Sequence, residues 1–153
     1  MRTYSRRAAH ICEGDERCIY YHATFADNEI PILLEGLRTC KPRVWSDYSC
    51  RNYNYVASKP ETALRWVVAY HITNELIPDD GAVIFEVDVS GMEITINTPW
   101  NVFVYGDILP ERVKLYKRVD IGEMQESVGK ILNNVAYWTK CGLEETIYNI
   151  LRE

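Results

Sequence analysis

Hydrophobic and polar positions alternate with two different periods along the chain. "AVIFEVDVS", residues 82–90, reads as a strong strand, apolar on at least one face. "MEITIN" alternates and predicts another, and "NVFVYG" and "RVKLYKR" predict two more on either side of "DILPE". Nearer the start, "CIYYHATF" predicts a strand over 18–23 and "YNYVAS" a shorter one. Two segments between these carry the helical period. In "DNEIPILLEGL", Ile30, Leu33, Leu34 and Leu37 share one helical face. Pro31 is tolerated only in a first turn, so the helix begins near Asp27 or Asn28, both good N-caps, and Gly36 ends it. In "SKPETALRWVVAYHI", Ser58 and Glu61 form a capping box with Pro60 in the first turn, and Leu64, Val67, Val68 and Ile72 continue the apolar stripe. The tail predicts two more helices, 122–135 and 143–152, joined around Gly142. The order β-α-β-α followed by a run of strands predicts an α+β fold.

Composition changes this picture little. A chain of 153 residues suggests one domain, large enough to bury a core without staples. We divide it into an arm (1–17), a core (18–118) and a helical extension (119–153). A net charge of −5 argues against a binder that relies globally on phosphate contacts. Basic residues still cluster locally, as Arg2, Arg6 and Arg7 and as Lys114, Lys117 and Arg118. "MRTYSRRAAH" is basic but has no apolar stretch behind it, and no run approaches the roughly 18 apolar residues of a membrane helix. Five cysteines is an odd number for a disulfide framework, so we expect mostly free thiols and a cytoplasmic protein.

Several short stretches carry candidate chemistry. "YYHAT" precedes the helix ending "EGL"; then come "YVAS", "ETALRW", "FEVDVSG" and "GDILPERV". In this order and spacing they resemble the ADP-ribosyltransferase fold. The style is closest to the NAD-binding lobe of the RNA 2′-phosphotransferase and poly(ADP-ribose) polymerase branches. The resemblance spans about residues 18 to 117 and leaves out the arm and the tail helices. It implies a split β-sheet core, with the two C-terminal helices as additions, and NAD as substrate.

In that family a His-Gly-Thr or His-Gly-Ser triplet ends a strand. Its histidine bonds a ribose hydroxyl of NAD, and the next residue's backbone holds the nicotinamide amide. The matching residues are His22, Ala23 and Thr24, with alanine where the family has glycine. A neutral imidazole offers one donor and one acceptor to a sugar hydroxyl, and a small neighbour lets the ligand approach the backbone. The plain alternative is a polar residue where a strand runs out. The family's second motif, a tyrosine before a small-residue turn and a helix, matches Tyr55 through Ser58. Tyr55 would stack on the nicotinamide ring, worth on the order of 0.5–2 kcal/mol. Tyr53 would face the same way, and ordinary cross-strand packing is the competing account of both.

The third motif departs from the pattern. Many transferases of this fold place a glutamate at the start of a late strand to stabilise the cationic sugar. Here Asn101 or Val102 stands at that position, and no acid lies between Glu93 and Asp107. The phosphotransferase branch also lacks this glutamate and uses basic residues. Arg38, Arg43, Arg51 and Arg65 can supply such a set, Arg65 from the helix after Ser58, where the bland reading is an exposed face. Glu86, Glu93 and Glu111 are fallback acids.

Other constellations are weaker. Cys12, Cys18, Cys40 and Cys50 have gaps unlike those of zinc sites, so no metal is expected. Cys18 and His22 would lie about 13 Å apart on one strand, too far for a direct thiol–imidazole pair. His71 falls late on a helix and reads as structural. Val128, Ile131, Leu132 and Val135 form one side of a tail helix, to pack on the sheet or to make a homodimer.

The expectation is an NAD-dependent transfer of ADP-ribose to a macromolecular acceptor, protein or RNA. The alternative is a degenerate transferase fold that binds NAD, ADP-ribose or a protein partner without turnover, as an inhibitor module. A toxin, a phage-encoded modifier of host machinery and an RNA-repair relative are all compatible with the size and charge.

Overall fold

The computed structural model describes residues 8–39, 52–64, 67, 81–98, 101–120 and 122–123. These form a mixed α and β structure dominated by two antiparallel sheets. The strands are β1 (His10–Ile11), β2 (Ile19–Phe25), β3 (Tyr53–Val56), β4 (Ala82–Asp88), β5 (Glu93–Thr98), β6 (Asn101–Tyr105) and β7 (Val113–Val119). One sheet has the order β1-β5-β6-β3 and the other β2-β4-β7. Every strand read from the alternation is present. β1 was not expected, because a two-residue strand leaves no periodic trace. It places part of the expected arm in the first sheet, and Cys12, just after it, is fully buried.

The sheets pack face to face. Register puts Ile94, Val104 and Asn54 in one row of the first sheet and Ile96, Val102 and Val56 in the next. From the second sheet Tyr20, Val83, Phe85, Val87 and Val113 meet this face, and together they make the main core. A fully buried side chain such as Phe85 contributes on the order of 1.5–3 kcal/mol. The other face of the second sheet carries Ile84, with Tyr21, Ala23 and Phe25 beside it, and packs on Leu64 and Val67. Those two belong to the helix after β3, described at residues 60–64 and 67.

The two helices refine the sequence reading. The first, α1 (Glu29–Glu35), starts with Asn28 at its N-cap and ends at Gly36, as the pattern predicts. Its stripe does not face the core, however. Ile30, Leu33 and Leu34 are exposed, while Ile32 packs on the core. Leu37 lies past the helix end, pairs with Ile108 through two backbone bonds of 2.9 Å, and is buried there. Gly36 has φ 76°, and a Cβ on it would lie 2.0 Å from the Ile108 carbonyl, so only glycine fits. At the second helix, Lys59 rather than Ser58 takes the N-cap place: its carbonyl accepts the first helical bond, from Ala63 N at 3.1 Å. Pro60 is then the first helical residue, where its missing N–H costs nothing. The expected tail helices lie outside the described residues, apart from helical residues 122–123.

Cys12 and Cys18 are joined in a disulfide. This corrects the expectation of free thiols at these two positions and removes them from any zinc set. The other cysteines lie outside the described residues. Among the described residues no helix is long and apolar enough to cross a membrane.

Candidate functional site

The two sheets meet along a seam between β2 and β3. At one end the strands are joined by backbone. Tyr21 N–H donates to Ala57 O and Ala57 N–H to Tyr21 O, both at 2.8 Å. Two residues further along, the strands have parted and a side chain spans the gap: His22 Nδ1–H donates to Tyr55 O at 3.0 Å. A carbonyl only accepts, so the proton of a neutral His22 sits on Nδ1 and its lone pair on Nε2.

The strand pattern explains why this position opens. Backbone groups in an antiparallel strand point alternately to its two neighbours. Ala26 N–H bonds Gly81 O on the β4 side at 3.0 Å, whereas Tyr21 bonds Ala57 on the other. By that alternation the N–H and C=O of Ala23 lie on the edge Tyr21 uses, facing the parted seam. Tyr20, His22 and Thr24 share the face turned toward the core. Tyr20 is buried, while His22 and Thr24 are half-buried toward the strand end. Asn28 Nδ2–H donates to Thr24 Oγ1 at 2.9 Å, which fixes Thr24 and explains why the Asn28 side chain makes no cap bond to its helix.

The Tyr55 ring projects from the face of the first sheet opposite the core. There it joins Tyr53, Phe103 and Tyr105. Tyr55 and Phe103 centroids are 5.1 Å apart at 71°, and Tyr53 and Tyr55 are 5.3 Å apart at 88°. Such edge-to-face pairs are favourable beyond their buried area. Tyr105 OH is 2.8 Å from Thr95 Oγ1 on the neighbouring strand. The structure thus brings His22 to the Tyr55 backbone while the Tyr55 ring belongs to an aromatic cluster.

Ser58 lies just beyond the joined end of the seam, with its carbonyl accepting from Arg17 Nη2. Arg65 lies outside the described residues, as do Arg43 and Arg51. Arg38 is exposed and pairs with Asp107 at 3.5 Å. Val102, at the late-strand position, is paired with Val56 and only 1% exposed, so that side chain belongs to the core. Glu86 sits mid-strand opposite Tyr21 and Lys114, on the face of the second sheet away from the main core. Glu93 pairs with Ile11 at the far edge of the first sheet, and Glu111 is exposed in a 3-10 turn.

Sequence reasoning missed three residues that shape this region. Arg17, read as part of a loop, donates from Nε to Ile19 O at 2.9 Å and from Nη2 to Ser58 O, which clamps the joined end. Asn28 holds Thr24. Asn54, 2% exposed, donates to Leu37 O at 3.2 Å and Gly106 O at 3.1 Å, tying β3 to the helix end and the β6 turn. A signal existed only for Asn54, a polar residue at an inward position of "YNYV".

Two carboxylates are perturbed near this framework. The Arg118 side chain, bonded to Glu29 at 2.8 and 2.9 Å, holds the Glu29 carboxyl below the usual range. Hydrogen bonds from the Ser90 side chain and backbone lower Asp88. Among the described residues no group of three or more His, Cys, Asp or Glu side chains is placed to hold a metal ion. Comparison with protein-family models and with curated proteins finds no match.

Proposed function

We propose that this chain is an NAD-dependent ADP-ribosyltransferase-like enzyme, passing ADP-ribose to a protein or RNA acceptor. The observation that carries the reading is the His22–Tyr55 link where the sheets part. It joins the two residues on which the resemblance rests, 33 positions apart in sequence. The tautomer suits the role, since Nε2 accepts a hydrogen bond from a ribose hydroxyl. The edge of Ala23 would offer an N–H and a C=O to a carboxamide, and the resemblance assigns Thr24 and Tyr55 to the same site. In this reading the bond between the ribose C1′ and nicotinamide breaks, its electron pair leaves with nicotinamide, and an acceptor nucleophile bonds C1′ and gives up its proton. Orientation and stabilisation of the cationic sugar drive the reaction.

One observation favours the second reading, a binding or inhibitor module without turnover. Neither Asn101 nor Val102, the candidates for the late-strand position, carries a carboxylate for the sugar cation, and Val102 is buried against Val56. A two-part experiment separates the readings. Calorimetry and melting with millimolar NAD test binding, and a hundredfold excess over Kd should add about 2.7 kcal/mol of stability. Labelled NAD in a cell lysate then tests transfer. Binding with label on protein or nucleic acid supports the enzyme, and binding without label supports the module. No heat and no melting shift would count against both.

A further inference from the structure

We propose that the Cys12–Cys18 disulfide is reversible and sets the tightness of the seam through Arg17. The two cysteines are anchored to different sheets. Cys12 follows β1, its N–H donating to Met92 O at 2.9 Å and its carbonyl accepting from Gly91 N at 2.7 Å. Cys18 precedes β2, with its carbonyl accepting from Val89 N at 2.9 Å. The disulfide therefore cross-links the first sheet to the second beside the seam. It closes the short loop that carries Arg17, and Arg17 grips Ile19 O on β2 and Ser58 O just past β3, on either side of the joined end.

The same geometry suits the dithiol. The Cα atoms are 6.0 Å apart, within the range of a disulfide. Cys12 Sγ is 3.1 Å from Arg17 O and Cys18 Sγ is 3.5 Å from Glu16 O, so each reduced thiol finds a carbonyl to donate to. Access is asymmetric, with Cys12 0% exposed and Cys18 half-buried. Reduction by glutathione thus begins at Cys18. A glutathione thiolate bonds Cys18 Sγ, the Cys12–Cys18 bond breaks, and Cys12 leaves as a thiolate that takes up a proton. A second glutathione thiolate attacks the glutathione sulfur of the mixed disulfide and frees Cys18. The products are the protein dithiol and glutathione disulfide, and oxidation is the reverse. Loss of the cross-link frees the Arg17 loop and loosens the Tyr21–Ala57 pairing.

The test equilibrates the full chain in glutathione buffers from reducing to oxidising. Alkylation and peptide mass spectrometry read the Cys12–Cys18 pairing, and hydrogen exchange reads the Tyr21 and Ala57 amides. On reduction we expect those amides to exchange about tenfold faster and the melting temperature to fall by roughly 5 °C. Arg17→Gln kept oxidised should reproduce the faster exchange, and Cys12→Ser should show it in every buffer. The proposal is overturned if the two cysteines stay unpaired in oxidising buffer, or if exchange is equal in both states. Unchanged exchange in oxidised Arg17→Gln also overturns it. NAD affinity, which rests on the reading above, should weaken several-fold on reduction. Absence of NAD binding in both states removes the transferase reading and leaves the exchange data to decide the switch.

Discussion

The two ends of the β2–β3 seam are built differently. At the joined end, Tyr21 and Ala57 exchange two backbone bonds and Arg17 adds a clamp from outside. At the parted end a single imidazole bonds the Tyr55 carbonyl. At the joined end Tyr21 and Ala57 satisfy each other's N–H and C=O through backbone, as in ordinary sheet. At the parted end the Ala23 edge is turned to the opening. Histidine suits the branch point because one ring nitrogen holds the carbonyl while the other stays chemically distinct. The contrast assigns stability to the joined end, and the proposed function places its ligand chemistry at the parted one.

The largest expected effect separates the two roles on a single strand. Tyr20 shares the His22 face but is buried in the main core. Tyr20→Ala should cost about 3–5 kcal/mol in urea unfolding and leave NAD affinity per folded molecule unchanged. A smaller loss is expected on the β3 side. Asn54→Ala removes the donor to Leu37 O and Gly106 O, and denaturation should report about 1–3 kcal/mol. Equal losses of affinity in these two variants would erase the distinction between the ends.

How legible this arrangement is in the sequence depends on the element. β5 shows as an alternating stretch, while β4, covered on both faces, shows as a nearly continuous apolar run. β2 shows because "CIYYHATF" is rich in β-formers. The seam itself has no sequence trace, since His22 and Tyr55 meet only through a long-range pairing of strands. The α1 stripe misleads for a physical reason. Ile30, Leu33 and Leu34 keep the helical period, yet the helix lies on the sheet through Ile32 and its Gly36 end. The Cys12–Cys18 pairing is invisible for the same reason as the seam, because spacing alone cannot say that two strand ends belong to different sheets. Arg17 sits in a polar loop where any charge reads as solvated.

Tyr55→Phe should change NAD affinity less than about threefold, because the ring contacts remain and only the hydroxyl, 3.4 Å from that of Tyr53, is lost. The smallest effect concerns acid. The Glu29 carboxyl is lowered by Arg118, so its contribution to stability is present above about pH 4.3 and is lost as pH falls through the depressed value. In Arg118→Gln the Glu29 titration, followed by NMR, should move up toward the ordinary carboxylate range. The seam should not respond, since this pair ties α1 to β7 and not β2 to β3.

His22→Ala tests the central claim most directly, with melting temperature and NAD affinity measured on the same preparation. Loss of the bond to Tyr55 O should itself cost about 1 kcal/mol of stability. Loss of the imidazole from the opening should weaken NAD by roughly 5- to 150-fold. A variant that melts many degrees lower while binding NAD as tightly per folded molecule would make His22 a core histidine and contradict the account.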